Sequence, residues 1–204
     1  KKNEQAKFNF LDAENKKNNY SIKQISEYDY TISGSSFNAN SLISNLIKTK
    51  KQKEKNFFEN NLNLDLNLNE VYIDEIYFVR DLKGKLQIKN NQVVGADILA
   101  FFDNSQNIKF TIRTTDNDEK ITTIFSSKAK PLVNRYKFIK GFKDDKDGYL
   151  DFYSSKKNGV STSKLVIDNF KVKEIPALAK LLDLASLQGI ADLLTGEGIR
   201  FTDF

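Results

Sequence analysis

The residues with the clearest chemical potential are acidic. Asp144, Asp145, Asp147 and Asp151 surround Gly148 in the sequence DDKDGYLD. Carboxylates at close spacing, with a glycine for a sharp turn, are what a calcium loop requires. Here the loop is short and lacks the bidentate glutamate near its end, so a plain β-turn is the better reading. Asp116, Asp118 and Glu119 form a second cluster, also in a turn. Gly196 and Gly198 flank Glu197. A phosphate-cradling glycine loop joins a strand to a helix, whereas a strand is expected after Gly198, so these glycines read as a structural turn. There is no P-loop, dinucleotide fingerprint or nucleophile elbow. The chain also has no cysteine and no histidine. That removes disulfides, thiolate and imidazole metal ligands, and the usual proton shuttle near neutral pH. Only carboxylate or lysine chemistry is left to an enzyme, and no cofactor is expected.

Charge points to no nucleic-acid partner. The formal net charge is +5, from 32 basic and 27 acidic residues. Arginine occurs only at Arg80, Arg113, Arg135 and Arg200. Specific nucleic-acid readers rely on arginine forks and clustered basic faces, and the lysines here are scattered. The densest run, KTKKQKEK from Lys48 to Lys55, reads as a solvated loop between a helix and a strand.

The elements that must position any site are mostly strands. Leu62, Leu64, Leu66 and Leu68 alternate with Asn63, Asp65 and Asn67. Ile108, Phe110 and Ile112 alternate with Lys109, Thr111 and Arg113, and Tyr28, Tyr30 and Ile32 with Asp29 and Thr31. Leu86 and Ile88 behave likewise, as do Leu165 and Ile167. Period-two alternation gives each strand one apolar and one wet face. Turns are expected at Asp81–Gly84, Asn90–Asn91, Asp116–Asp118, Asp144–Gly148 and Asn158–Gly159. Helical spacing appears at Ser41–Lys48, with Asn40 or Ser41 as N-cap and Leu42, Ile43, Leu46 and Ile47 on one stripe. A second helix is expected at Pro131–Tyr136, with Leu132, Val133 and Tyr136 turned inward. Two more fall between Pro176 and Leu194, before a strand beyond Gly198. The apolar region from Ile175 to Leu194 is broken by Lys180, Asp183 and Asp192, and reads as packed helices, not a membrane span. The fold class is therefore mainly β with a few short α-helices. We expect a long curved antiparallel sheet, with helices at its edge or end, as one unit over residues 1–204.

Several motifs resemble a known family. Asp168 and Phe170 close a strand, Pro176-Ala177-Leu178 opens a helix, and a leucine-rich stretch spans 181–194. Gly196-Glu197-Gly198-Ile199 follows, and Ser36-Phe37-Asn38-Ala39 stands upstream before an amphipathic helix. In this order they resemble the C-terminal region of AsmA-like bacterial envelope proteins, although that family more often has aspartate where Asn38 stands. The chain begins at Lys1 and contains no methionine, as expected for a segment of a longer protein.

From the residues alone, the alternating leucines read as ordinary core. The resemblance implies a taco-like β-groove instead, conducting phospholipid acyl chains between inner and outer membranes without catalysis. Its lining would then be Leu62, Leu64, Leu66, Leu68, Ile108, Phe110, Ile112, Leu165 and Ile167, with headgroups at the wet rim. It also implies a periplasmic location and a parent protein anchored in the inner membrane. A second role implied by the resemblance is a scaffold for outer-membrane protein assembly, with envelope protein partners.

Overall fold

The computed structural model describes residues 4–47, 61–89, 92–136, 142–143, 148–168 and 171–172. The chain opens with β1 (Gln5–Leu11), β2 (Lys17–Gln24) and β3 (Asp29–Asn38), then α1 (Asn40–Ile47). Five strands follow: β4 (Leu62–Tyr72), β5 (Phe78–Lys89), β6 (Gln92–Phe101), β7 (Asn107–Thr114) and β8 (Lys120–Ser126). After α2 (Lys130–Tyr136) come β9 (Phe142–Lys143), β10 (Leu150–Lys157), β11 (Val160–Ile167) and β12 (Lys171–Val172). One ten-stranded sheet runs in the order β1-β2-β3-β4-β5-β6-β7-β8-β10-β11, and β9 pairs with β12 apart from it. Among the described residues β1 and β11 are its edges and do not pair with each other, so the sheet is open. It forms the mainly β, curved architecture expected from the alternation.

One pairing departs from the antiparallel expectation. β3 and β4 run parallel, with Tyr30 beside Leu64 and Gly34 beside Leu68. A parallel neighbour requires a crossover, and α1 lies in the connection between these two strands. All other neighbours in the sheet are antiparallel.

Asp81–Gly84 is not a turn. β5 runs straight through it, with Asp81 in the left-handed region at φ 50° and the β5–β6 register shifting between Arg80 and Lys83. This is a bulge, and its extra residue reverses which side chains face inward. Val79 and Leu82 therefore join the same apolar cluster despite their odd spacing. Leu68 and Val71 on β4 do likewise, and Phe37, in register with Val71, belongs to the same cluster. Gly84 is needed for a different reason. A Cβ there would run into the Asp97 carbonyl and stand 2.7 Å from the Ile98 Cα, so only glycine lets β5 approach β6 this closely.

The other turns behave as their residues suggest. Asn158 (φ 52°) and Gly159 (φ 78°) form the two-residue connection of β10 to β11, the primed geometry that Asn-Gly favours. Asp118 (φ 56°) takes the positive φ of its turn. Asn90–Asn91, Asp144–Asp147 and everything expected between Pro176 and Phe204 lie outside the described residues.

α1 begins one residue earlier than the sequence suggests. The Ile43 N–H donates to the Ala39 carbonyl (2.9 Å), which makes Ala39 the N-cap residue. The capping oxygen comes from Asn38, whose Oδ1 accepts from the Asn40 N–H at 3.0 Å. α2 packs Val133 and Leu132 onto Leu150 and Phe152, with Ala129 just before it, as the sequence expectation for Leu132 and Val133 requires.

Candidate functional site

Strand register places every residue expected to line the groove on one face. Leu64 pairs with Leu86, which pairs with Ala96, which pairs with Ile112. One step along, Leu66, Gly84, Ile98 and Phe110 align across the same strands. From Phe110 the row continues through Ile124 and Phe152 to Leu165. A further row runs from Ile108 through Ser126 and Leu150 to Ile167. The strand phase read from the alternation is thus a shared face across separate strands.

This inner face is divided into three apolar clusters. Ile88, Val93, Ala96 and Ile112 are buried together, with Leu62, Leu64, Leu86 and Phe110 packed against them. A second cluster centres on Leu68, Val71, Val79 and Ala100, joined by Ile108 from β7 and Ile43 from α1. The third holds Leu165 and Ile167 beneath α2. Leu165 and Ile167 belong to the cluster that α2 joins through Val133 and Leu132, and like Leu62, Leu64, Leu66 and Phe110 they are half-buried. The row partners Leu86, Ile98, Ala100, Ile124 and Phe152 line the same face. Leu86 follows from its alternation with Ile88, whereas Ile98 sits in an unbroken apolar run and is placed only by the register. Ala100, Ile124 and Phe152 become legible only once the pairing order is known.

The two ends of the strands differ. At one rim, β3 ends at Asn38 and β8 at Ser126, and α1 and α2 follow. Arg135 of α2 ties the helices together there. It donates to Asn40 Oδ1 (2.8 Å), the Asn40 carbonyl (3.1 Å) and Ser44 Oγ (3.0 Å) on α1, and also to the Ile73 carbonyl. Asp12 Oδ2 in the β1–β2 turn accepts from Asn18 (3.0 Å) and Asn38 (2.7 Å). Burial raises the Asp12 pKa. The hydrogen bonds from Lys16, Asn38, Asn18 and Glu14 outweigh that and leave it below the usual carboxylate value.

At the opposite rim the inner face turns polar, in a manner absent from the sequence reading. Along β10 the inward residues are Leu150, Phe152, Ser154 and Lys156; along β8 they are Ser126, Ile124, Thr122 and Lys120. Lys120 and Lys156 are direct cross-strand partners, and Ser161 on β11 stands opposite Lys156. Thr122, Ser154 and Ser161 are buried, and Ser163 Oγ donates to Ser154 Oγ at 2.9 Å. The Lys120 ammonium reaches across β7 and donates to the Val93 carbonyl at 2.6 Å, at the margin of the first cluster. Burial, and then repulsion from Lys156, pushes its pKa down to about 8. Two lysines in one inward row are invisible to a reading that follows only apolar alternation. The signal is S-x-K on β10 (Ser154 to Lys156) facing K-x-T on β8 (Lys120 to Thr122), strands that pair antiparallel.

Among the described residues no group of acids, histidines or cysteines is placed to hold a metal ion. No described helix is long and apolar enough to cross a membrane. What the geometry defines is an open β-groove: apolar within, helix-covered along one rim, and lysine-bearing at the other. Searches against family models, curated proteins and solved structures find no match.

Proposed function

We propose that this chain is a non-enzymatic segment of a bacterial envelope lipid bridge, with phospholipid acyl chains lying along the inner face of its sheet. The observation that carries the reading is the continuity of that face. Leu64, Leu66, Leu86, Ile98 and Phe110 follow one another across β4 to β7, and no second sheet is paired over them among the described residues. Apolar surface exposed to water is unfavourable by roughly 25 cal/mol per Å², so an open apolar groove favours an apolar occupant. Ten strands about 4.8 Å apart give the groove a length of about 43 Å, longer than the ~30 Å hydrocarbon core of a bilayer. Many weak, equivalent contacts suit conduction, because a single tight pocket would trap its lipid. The AsmA-like resemblance supplies the setting: a periplasmic location, with the parent protein reaching both membranes.

The test is native mass spectrometry of the purified chain with extraction of bound lipid, comparing wild type with Leu64→Asp/Leu66→Asp. Co-purified phospholipid on the wild type, lost in a double variant that keeps its circular dichroism spectrum, is the expected result. A folded wild type free of lipid would overturn the conduction reading.

A second reading rests on β1. Among the described residues it is an edge strand, and its residues are almost all exposed, with Phe10 and Leu11 among them. Such an edge can accept a client strand, as an assembly scaffold requires. Cross-linking from β1 to a captured outer-membrane protein, with an empty groove, would favour that role over conduction.

A further inference from the structure

The inner face is continuous in register but not in openness, and the change falls at one place. Two rows run side by side across β4 to β7. One is Leu64, Leu86, Ala96 and Ile112; the other is Leu66, Gly84, Ile98 and Phe110. Past β7 both change character. The first continues as the hydroxyl residues Thr122, Ser154 and Ser163. Thr122 and Ser154 are each 1% exposed. The second continues as Ile124, Phe152 and Leu165 and stays apolar. There, however, Phe152 and its strand neighbour Leu150 are 2% and 3% exposed, in one cluster with the fully buried Ala129 and Val133. On β4 to β7, by contrast, Leu64, Leu66, Leu86, Ile98 and Phe110 are only half-buried.

Both changes end a surface for acyl chains, for different reasons. Only area still in contact with water yields a hydrophobic gain, at roughly 25 cal/mol per Å². Phe152 and Leu150 have almost none left, so a chain laid there would first have to displace Val133. The hydroxyls resist because hydrocarbon offers them no hydrogen-bond partner. α2 is also fixed in place. Ahead of it the Ala129 N–H donates to the Gly148 carbonyl (2.7 Å), and Ser126 Oγ donates to the Lys128 carbonyl (2.7 Å). Near its end Arg135 holds Asn40 and Ser44 of α1. A helix secured at both ends acts as a wall and not as a lid.

We propose that the acyl-chain site ends at the boundary of β7 and β8, with Val133, Phe152, Thr122 and Ser154 as its end wall. A phospholipid then enters and leaves from the β3 side and does not travel on across β10 and β11. This chain is on that account the terminus of a lipid path and not one of its intermediate spans. The inference rests on the groove reading above, and adds to it the residues that bound the site.

The experiment loads the 204-residue chain with phosphatidylglycerol carrying a diazirine at the end of one acyl chain, irradiates it, and maps the adducts by peptide mass spectrometry. Wild type is compared with Leu132→Ala/Val133→Ala, which lowers the helical part of the wall, and with Thr122→Val/Ser154→Ala, which removes its hydroxyls. On the wild type, adducts on β4–β7 should exceed those on β10 and β11 by at least about tenfold. In each variant that keeps its circular dichroism spectrum, adducts are expected to spread to β10. The milder hydroxyl variant carries the comparison if the helix variant unfolds. Adducts shared evenly between β4–β7 and β10–β11 on the wild type would overturn the end wall and leave the groove reading intact. An unchanged pattern in the folded variants would overturn it as well, because the named residues would then not bound the site. Absence of adducts from the whole inner face would overturn the groove reading, and the end wall with it.

Discussion

At the scale of single residues, Lys120 is a charge that the fold holds at a cost. Its pKa in the folded chain is about 8, against an ordinary 10.5. Burial is the larger cause, and the charge of Lys156, its partner across the β8–β10 pair, is the second. Around it on the inner face stand Thr114 of β7, in register with it, and the Val93 carbonyl of β6, which accepts from its ammonium. None of these titrates near neutral pH, and Glu119, the preceding residue, is engaged by Ser155. A folded-state pKa below the unfolded one means that the folded chain releases its proton first as pH rises. Between pH 8 and 10.5 the unfolded chain holds more protons, so this lysine makes folding more favourable with increasing pH across that window. At pH 7 its charge counts against the fold. Lys120→Met should therefore raise stability at pH 7 by about 1–2 kcal/mol, allowing for the part of the charge that stays in water and for the lost bond to Val93. The gain should shrink as pH rises from 8 to 10. Urea denaturation of both proteins at several pH values measures this. A variant less stable than wild type at pH 7 would show that the lysine is a structural group and not a charge held at a cost.

At the scale of elements, the helices depend on each other more than on their own lengths. α1 and α2 are short, and isolated helices of this size are marginal in water. Each is held by an apolar contact with the sheet, through Ile43 and through Val133, and the pair is joined by Arg135. The planar guanidinium reaches Asn40, Ser44 and Ile73 together, which a lysine ammonium cannot match. Arg135→Ala is expected to cost about 2 kcal/mol, with Arg135→Lys recovering less than half of it. Thermal unfolding measures both, and an alanine variant as stable as wild type would show that the helices dock independently. The sequence made some of this readable. The leucine alternation of β4 and the Ile-Phe-Ile alternation of β7 gave both the strands and their shared face, because burial on one side writes period two directly. Pro131 and the spacing of Leu132 and Val133 marked α2. The bulge was not readable, because Asp81 and Gly84 are turn residues used inside a strand. Nor was the parallel β3–β4 pair, since a strand's own pattern does not record its neighbour's direction. The basic rim was missed for a related reason: Lys120 and Lys156 become neighbours only through the β8–β10 pairing, which skips over α2 and β9.

At the scale of the whole molecule, an open sheet of ten strands has no uniform stability. Each strand bonds only to its neighbours, so local opening is cheapest at the two edges and dearest in the middle. The edges are also unequal. β1 is exposed along nearly its whole length and is held chiefly by its pairing with β2 and the stacking of Phe8 on Tyr20, at 4.8 Å between ring centroids. β11 closes a tight hairpin with β10 and packs Leu165 and Ile167 against the cluster of Leu150, Phe152 and Val133. The centre, from β4 to β7, has neighbours on both sides and buries Val79, Ile88, Ala100 and Ile112. Amide hydrogen exchange should therefore rise outward from β5–β6, fastest in β1 and intermediate in β11. If the groove takes lipid, a bound phospholipid adds contacts to β4–β7 but none to β1. Adding dihexanoyl phosphatidylglycerol should then slow exchange in β4–β7, while β1 remains unchanged. Uniform slowing across all strands would indicate general stabilisation of the fold, and protection confined to β1 would place the ligand on the free edge and favour strand addition over conduction.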